Sequence, residues 1–268
     1  IAPPLNQSFI FQNNSKTSLK EYFPTKNVFN KVSNNTNEKK PGKLDLLYNY
    51  FLNKIKFSFK RLVSINQSFL FGNKLIILPK KSKFVEFKYF HKLYDEFVPI
   101  LSKNMSSGST IIDIGANAGT TLFGILKYSK NYNHKIISIE GSKYFFNYLK
   151  LNLKNFPLLR KKVDIQIINS IVSDQKRNLK IINDGSSGII QKTHKKDKNS
   201  VSVSNLNNYL KNIETGKNIL VKIDTDGYDF NVIRSGLNET QKKNPIFFTE
   251  LLFEQKIIKK TLKVYDEL

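Results

Sequence analysis

The sequence contains no cysteine and no tryptophan, one methionine and only three histidines. Without cysteine the chain has no disulfide bonds, no thiolate metal sites and no cysteine nucleophile. The histidines, His91, His134 and His194, show neither the spacing of metal ligands nor that of a catalytic triad. No apolar run reaches the ~20 residues that a membrane-spanning helix needs. We therefore expect a soluble, cytoplasmic protein without a transmembrane segment.

Acidic residues are scarce relative to basic ones. Lys and Arg number 44 and Asp and Glu 21, so the formal net charge is +23. Such an excess is typical of proteins that bind nucleic acid, anionic membranes or acidic glycans. However, nearly all the basic residues are lysines, and the chain is equally rich in Asn, Ile and Phe, as an AT-rich genome encodes by default. We attribute most of the charge to this composition, which leaves nucleic acid as a less favoured partner.

Composition divides the chain into three parts. Residues 1–43 are polar and rich in Asn, Ser and Lys, which predicts a low-complexity tail or linker. Residues 44–105 combine helical periodicity with short strand-like stretches, which predicts a lead-in subdomain. Residues 106–268 alternate continuous apolar strands with amphipathic helices. This alternation predicts an α/β fold with a doubly wound, mostly parallel sheet.

The most informative motif is IIDIGANAG, residues 111–119. A buried strand runs into a loop with Gly115 and Gly119, at the strand end where open α/β sheets bind ligands. Asn117 occupies the second glycine position of the dinucleotide fingerprint, which disfavours an NAD-dependent oxidoreductase, and no Gly-Lys-Ser/Thr follows for a phosphate-binding loop. The loop suits a ligand without phosphates but with a charged amino-acid end, whose ammonium Asp113 would take directly or through water.

The next two apolar strands also end in polar residues. Glu140 ends KIISIE, where the two oxygens of a carboxylate can bridge two ribose hydroxyls. Together with the glycine loop, it predicts a site for a cofactor that contains adenosine. The alternative is a solvated carboxylate that caps a helix with Ser142. Asn169 and Ser170 end VDIQIINS, where an adenine edge could be recognised.

A third motif, VKIDTDGYDFNVIRSG, covers residues 221–236. Asp224 ends its strand and Asp226 lies in the turn that follows, so both are candidates for acid/base chemistry beside the cofactor. Asp226 and Asp229 fit equally well as caps at the start of a helix. Lys222, inside an otherwise apolar strand, is expected to pair with one of the acids.

Glu250, at the end of PIFFTE, would bring one more carboxylate to the same edge of the sheet. Clustered carboxylates suit Mg²⁺, so Asp224, Asp226 and Glu250 form a conceivable metal site. We favour a site without a metal, because nothing else in the sequence has the spacing of metal ligands.

Taken together, IIDIGANAG, ISIEGS, VKIDTDGYDFNVIRSG and PIFFTELLFEQ resemble the FkbM family of S-adenosylmethionine-dependent methyltransferases, over residues 98–254. The resemblance implies a Rossmann-like sheet in an S-adenosylmethionine-binding domain at residues 106–268. It also implies methyl transfer to a hydroxyl group, often of a sugar in a glycan or of a related metabolite. Members often have Glu-Gly where this chain has Asp226 and Gly227, a change that keeps the carboxylate.

The resemblance also implies roles for individual residues. The loop at the methionine end of the cofactor would be formed by Asp113, Gly115, Asn117 and Gly119. Glu140 would hold the ribose. Asp224 and Asp226 would belong to the family's fourth-strand motif, and we nominate them, in that order, as the group that accepts the proton of the hydroxyl.

Two further readings remain open. An RNA ribose 2′-O-methyltransferase agrees with the positive charge and would bind RNA in a strongly salt-dependent manner. A catalytically silent binding module would have no use for Asp113, the glycine loop and Glu140 together.

At the C-terminus, a methyltransferase sheet should finish with a helix and an antiparallel hairpin, yet only some fourteen residues follow Glu254. Since the chain also starts at Ile1, we expect a fragment whose C-terminal strands are missing.

Overall fold

The structure is a computed structural model. It describes residues 7–12, 51–53, 55–56, 58, 66–91, 94–128, 133–156, 163–175, 179–185, 187–193 and 201–251. The strands are β1 (Gln7–Gln12), β2 (Gln67–Phe71), β3 (Lys74–Leu78), β4 (Thr110–Ile114), β5 (Lys135–Ile139), β6 (Asp164–Ile168), β7 (Ile171–Val172), β8 (Leu179–Asn183), β9 (Gly188–Lys192), β10 (Val203–Ser204), β11 (Ile219–Ile223) and β12 (Ile246–Leu251). The helices are α1 (Phe84–Phe90), α2 (Phe97–Asn104), α3 (Thr120–Tyr128), α4 (Lys143–Lys154), α5 (Leu206–Lys211), α6 (Asp229–Arg234) and α7 (Leu237–Lys243).

The central sheet has six strands in the order β1-β12-β11-β4-β5-β6. The five strands from β12 to β6 are parallel, and β1 pairs antiparallel with β12. The chain runs outward from β4 to β6 on one side and then resumes on the other side with β11. This reversal places a topological switch point between β4 and β11, where open α/β sheets bind their ligands. The predicted doubly wound, mostly parallel α/β fold is confirmed.

Helices cover both faces of the sheet because its central strands are apolar on both sides. One face packs Ile111, Ile136 and Leu220 against α3 and α4, and the other packs Val221 and its neighbours against α5 and α6. Every residue of β4 and of β11 is buried. Buried strands of this kind lack the alternation of polar residues seen in sheets with a solvated face.

Helix α4 shows how local sequence builds these layers. The Ser142 side chain accepts a hydrogen bond from the backbone N–H of Phe145 and so caps the first turn. The buried residues Phe145, Leu149 and Leu153 recur at helical spacing and form one apolar stripe. The β2–β3 hairpin, α1 and α2 contribute to the same core cluster as α3 and α4.

Residues 7–12 differ from the prediction that residues 1–43 form a tail or linker, because they form β1. The apolar run Phe9–Ile10–Phe11 favours a strand but lies within a polar segment whose average composition hides it. In the described part of the chain, β1 therefore provides the antiparallel partner of β12 that we expected from C-terminal residues. Residues 252–268, to which the expectation of missing strands refers, lie outside the described residues.

Candidate functional site

The glycine loop connects β4 to α3 and has an unusual backbone. Gly115, Asn117 and Gly119 have φ values of +83°, +49° and +94°, a region that glycine and asparagine adopt more readily than other residues. A Cβ atom on Gly115 would lie 1.9 Å from the carbonyl oxygen of Asp224. The backbone N–H groups of Gly115 and Ala116 both donate to the carbonyl of Ile139. The loop is thus fixed between the ends of β11 and β5.

Glu140, directly after β5, is buried and contacts the glycine loop. Its Oε2 accepts a hydrogen bond from the N–H of Asn117 at 2.8 Å, and its Oε1 accepts one from the N–H of Ser142 at 2.6 Å. Burial raises the pKa of Glu140 to about 7, although both hydrogen bonds act in the opposite direction. The first two sequence motifs therefore meet at one buried carboxylate.

Asn169 and Ser170 follow β6 on the same side of the site. The Asn169 side-chain amide donates to the carbonyls of Glu140 and Gly141, at 2.8 and 3.1 Å. The Ser170 hydroxyl donates to the carbonyl of Ser202 at 3.0 Å, and Ser170 lines the cavity described below. Asn169 thus supports the backbone that carries Glu140, whereas Ser170 reaches the cavity wall.

The turn after β11 gives its three aspartates different environments. Asp229 is buried and accepts hydrogen bonds from Thr225 and from the N–H of Gly227, so its carboxylate holds the turn together. Asp226 has φ +50° and is exposed at the rim. Partial desolvation, together with the charges of Asp224 and Asp229, still raises the pKa of Asp226 to about 6.

A buried lysine lies between two of the predicted site residues, and Lys222 does pair with acids as expected. Lys222 faces Asp113 in the β11–β4 register. Its Nζ lies 3.3 Å from Oδ1 of Asp113 and 3.0 Å from Oδ2 of Asp224. Burial lowers the pKa of Lys222, but the two carboxylates outweigh burial and raise it well above its ordinary value. Lys222 thus joins the strand beneath the glycine loop to the acidic turn.

Asp113 is fully buried beneath the loop. Burial raises its pKa, and the charge of Lys222 acts against that rise. Although Oδ1 is within ion-pair distance of Lys222, neither oxygen of Asp113 has a partner with hydrogen-bond geometry among the described residues. Buried carboxylate oxygens are seldom left in this state.

Sequence reasoning missed Asp95, which joins the same group of charges. Asp95 lies between α1 and α2, has φ +56° and is near Thr120 at the start of α3. Burial raises its pKa to about 6, with Lys222 opposing the shift and Asp224 adding to it. An aspartate in a polar connection between helices carries no sequence signal that would separate it from a solvated side chain.

Asn152 in α4 is a second residue that the sequence did not reveal. Its fully buried side chain accepts from the N–H of Ile77 at 2.8 Å and donates to the carbonyls of Ile77 and Ala118 at 2.8 and 3.0 Å. It therefore connects β3, α4 and the glycine loop. The only available signal was a polar residue within the apolar stripe of the helix, a pattern that also occurs by chance.

A cavity of about 60 Å³ opens at this edge of the sheet. Gly115, Asn117, Glu140, Asp224 and Asp226 line it on the sheet side. The hairpin of β8 and β9 covers it with Ile181, Gly188 and Ile190. The structure thus brings the residues from all three motifs to one cavity. Two predicted site residues do not line the cavity: Asp113 lies beneath the glycine loop, and Asn169 lies behind the cavity wall.

Neither a metal cluster nor a membrane span is evident in the described residues. Their His, Asp and Glu side chains include no group of three or more that could hold a metal ion. Glu250, the third ligand of the conceivable metal site, lies in β12, and its side chain is outside the described part of the chain. No helix among the described residues is both long enough and apolar enough to cross a membrane.

Comparisons with known proteins agree with the motifs. The family model described as "Methyltransferase FkbM domain" matches residues 113–263. The fold is similar to that of the methyltransferase FkbM from Methylobacillus flagellatus KT (12% identity, TM-score 0.44), over 59% of this chain and 37% of that one. Precorrin-6y C5,15-methyltransferase from Geobacter metallireducens GS-15 aligns at 11% identity and TM-score 0.38, over 64% of this chain and 69% of that one.

The chain spans little more than a third of the length of the M. flagellatus protein. A SAM-dependent methyltransferase from Agrobacterium tumefaciens aligns at 8% identity and TM-score 0.37, over 74% of this chain and 58% of that one. Comparison with curated protein sequences gives no match. Because the family model covers more than half of the chain, the chain belongs to the FkbM family of S-adenosylmethionine-dependent methyltransferases.

Proposed function

We propose that the cavity at the ends of β4, β5 and β11 binds S-adenosylmethionine, and that the protein methylates a hydroxyl of a sugar, a glycan or a related metabolite. The observation that carries this proposal is the hydrogen bond between Glu140 and the N–H of Asn117. It joins the carboxylate expected to hold the ribose to the loop expected to hold the methionine end. One ligand with both parts would contact both motifs at once.

The residues around the cavity fit this donor in chemical terms. Each oxygen of Glu140 accepts one backbone hydrogen bond, and a carboxylate oxygen can accept more, so the ribose hydroxyls could share it. The glycine loop presents a backbone without bulky side chains to the amino-acid end. Asp113 places a buried negative charge beneath that end, and Ser170 with the β8–β9 hairpin would enclose the adenine.

When bound, S-adenosylmethionine supplies a methyl group activated by the positively charged sulfur. The chain has to hold the acceptor oxygen in line with that methyl group and exclude water. As the carbon–oxygen bond forms and the carbon–sulfur bond breaks, the hydroxyl proton needs an acceptor. We assign this role to Asp224 first and to Asp226 second, because both line the cavity at its open rim. General-base assistance of this kind contributes on the order of 10²- to 10⁴-fold.

Calorimetry tests the donor half of the proposal. We expect micromolar binding of S-adenosylmethionine and S-adenosylhomocysteine, weak or no binding of NAD, and loss of both adenosyl ligands in Glu140→Ala. Wild-type protein that is folded, as shown by a cooperative unfolding transition, but binds neither adenosyl ligand would contradict the proposal and favour a silent binding module.

Transfer of a radiolabelled methyl group tests the acceptor half. Pools of polysaccharides, small hydroxylated metabolites and RNA are offered separately, at low and high salt. Label on the sugar pools that depends little on salt supports the proposal. Label on RNA that falls steeply with salt would instead identify a ribose 2′-O-methyltransferase, which the net charge of +23 would favour.

A further inference from the structure

We propose that the β8–β9 hairpin is a movable lid over the donor site, and that Lys81 is the positioning residue that holds the tip of this lid down until the donor binds. This inference rests on the proposed function. It concerns the entry of the donor rather than its contacts once it is bound.

The cavity under the hairpin is small for the proposed donor. Its volume is about 60 Å³, whereas pockets for ligands of this size measure about 300–1,000 Å³. Ile181 and Ile190, which pair across the hairpin, line the cavity. A Cβ atom on Gly141, the residue after Glu140, would lie only 2.6 Å from Cδ1 of Ile181. The hairpin thus rests on the backbone beside the carboxylate expected to hold the ribose, and a bound nucleoside requires the hairpin to move outward.

The hairpin forms a unit separate from the central sheet. Within the described residues, β8 and β9 make a two-stranded sheet that shares no ladder with the six-stranded one. Its outward-facing pair, Ile182 and Ile189, is 46% and 55% exposed. A two-stranded hairpin on its own is only marginally stable in water. The hairpin can therefore shift as a unit without breaking the ladder of the central sheet.

Lys81, in the connection between β3 and α1, contacts the tip of the hairpin. Its Nζ donates a hydrogen bond to the carbonyl oxygen of Asp184 at 3.2 Å. Its aliphatic stem packs against Gly185, which has φ +91°. A Cβ atom on Gly185 would lie 2.7 Å from Cδ of Lys81. The absence of a side chain at residue 185 lets the tip approach the lysine this closely.

The backbone around Lys81 is fixed to the main core. The side-chain amide of Gln67 in β2 donates to the carbonyls of Lys80 and Ser82, at 2.9 and 2.7 Å, on either side of Lys81 in the chain. The preceding strand, β3, ends at the buried core residue Leu78. Lys81 thus connects the tip of a separate hairpin to a fixed loop. A contact that forms only when the hairpin is closed shifts the equilibrium away from the form that admits the donor.

Two engineered cysteines can lock the hairpin, because the chain has no cysteine of its own. A Cβ atom on Gly185 would lie 3.5 Å from that of Lys81, and a disulfide joins Cβ atoms about 3.5–4.5 Å apart. Binding of S-adenosylhomocysteine to the double variant Lys81→Cys with Gly185→Cys is measured by calorimetry, before and after reduction. We expect no measurable binding to the oxidised form and recovery of binding after reduction. Bound S-adenosylhomocysteine should in turn slow disulfide formation, because it keeps the tip away from residue 81.

Lys81→Ala tests the same contact without changing Gly185, whose positive φ a cysteine adopts less readily. Loss of the hydrogen bond to the tip should favour the open hairpin and raise the affinity for S-adenosylhomocysteine by about 2- to 10-fold. Removal of a residue with a merely structural role would not strengthen binding. Lys83→Ala, at an exposed lysine two residues further along, is the matched control and should bind as the wild type does.

A folded, oxidised double variant that binds S-adenosylhomocysteine as tightly as the reduced one would overturn the lid. Failure of the two cysteines to form a disulfide in the folded free protein would also overturn it, as would an unchanged or lower affinity in Lys81→Ala. If the double variant shows no cooperative unfolding transition, the comparison of Lys81→Ala with Lys83→Ala decides. A folded wild type that binds no S-adenosylhomocysteine would instead overturn the proposed function itself.

Discussion

Gly115 and Asp224 bring two neighbouring loops of the site into backbone contact. A Cβ atom on Gly115 would lie only 1.9 Å from the carbonyl oxygen of Asp224, and Gly115 also has φ +83°. The loop after β4 and the turn after β11 therefore fit together only when residue 115 has no side chain. This contact sets the distance between the glycine loop and the nominated base.

We expect Gly115→Ala to destabilise the protein and to abolish donor binding. The methyl group cannot be accommodated without moving one of the two loops, so the free energy of unfolding should fall by about 3 kcal/mol or more. Urea unfolding measures this loss. Gly216→Ala is a matched control, because Gly216 has the same φ of +83° but no atom within 4 Å of its Cβ position. That variant should lose only about 1 kcal/mol, the cost of the backbone conformation. Similar losses in both variants would show that the contact with Asp224 is unimportant.

Lys222→Met should be strongly destabilising. It leaves Asp113 fully buried without a counter-charge, and breaking a buried ion pair from one side costs about 3–5 kcal/mol. The pKa of Asp113, already raised by burial, should rise further. A carboxyl whose folded-state pKa is raised stabilises the fold at low pH and loses that contribution as pH rises. The variant should therefore recover stability as pH falls, in urea titrations at several pH values.

The double variant Lys222→Met with Asp113→Asn separates charge from packing. Removing the unpaired carboxylate should restore much of the stability lost in Lys222→Met. A double variant that is no more stable than the single one would show that the lysine acts by filling space.

Donor binding should depend on pH through Glu140. Its pKa is about 7 in the free protein, and the ionised carboxylate is the better acceptor for ribose hydroxyls. Protons therefore compete with the ligand, and affinity for S-adenosylhomocysteine should fall about tenfold from pH 8 to pH 6. Glu140→Gln should bind weakly and lack this slope. A wild-type affinity that is constant over this range would contradict the prediction.

Asn152→Leu should weaken both the fold and the site. The substitution has similar volume but leaves the N–H and carbonyl of Ile77 and the carbonyl of Ala118 without their buried partners. We expect a loss of about 3 kcal/mol in the free energy of unfolding and weaker donor binding at temperatures where the variant stays folded. Asn155→Ala, at the exposed end of the same helix, is the control and should change stability by less than about 0.5 kcal/mol. Normal donor affinity in a folded Asn152→Leu protein would show that the glycine loop does not need this support.

The sequence predicted the parts of the site that lie at strand ends. Glu140 and Asp224 each follow a mostly apolar strand, and the carboxyl ends of parallel strands meet at one edge of the sheet. Both residues, together with Gly115 and Asn117, indeed line one cavity. Their roles in binding and catalysis remain predictions.

Other parts of the molecule could not be predicted, because their positions depend on tertiary packing. Asp95 approaches the site from a connection between helices, and its place there depends on Glu96 and Phe97 contacting distant elements. The role of Asn152 depends on β3, which lies far from it in sequence. The choice between capping and chemistry for Asp229 was also open until the hydrogen bonds to Thr225 and Gly227 showed that it holds the turn.

The pairing of β1 with β12 has a consequence for the way the protein is made. Gln7 pairs with Leu251, so the first described strand and the last one are neighbours although nearly the whole chain separates them. Contacts of such high sequence separation carry a large loop-closure cost and form late. During synthesis, β1 leaves the ribosome long before its partner exists. Until β12 follows, β1 is an unpaired strand, open to pairing with other chains, and a chaperone that covers it would improve the yield of folded protein.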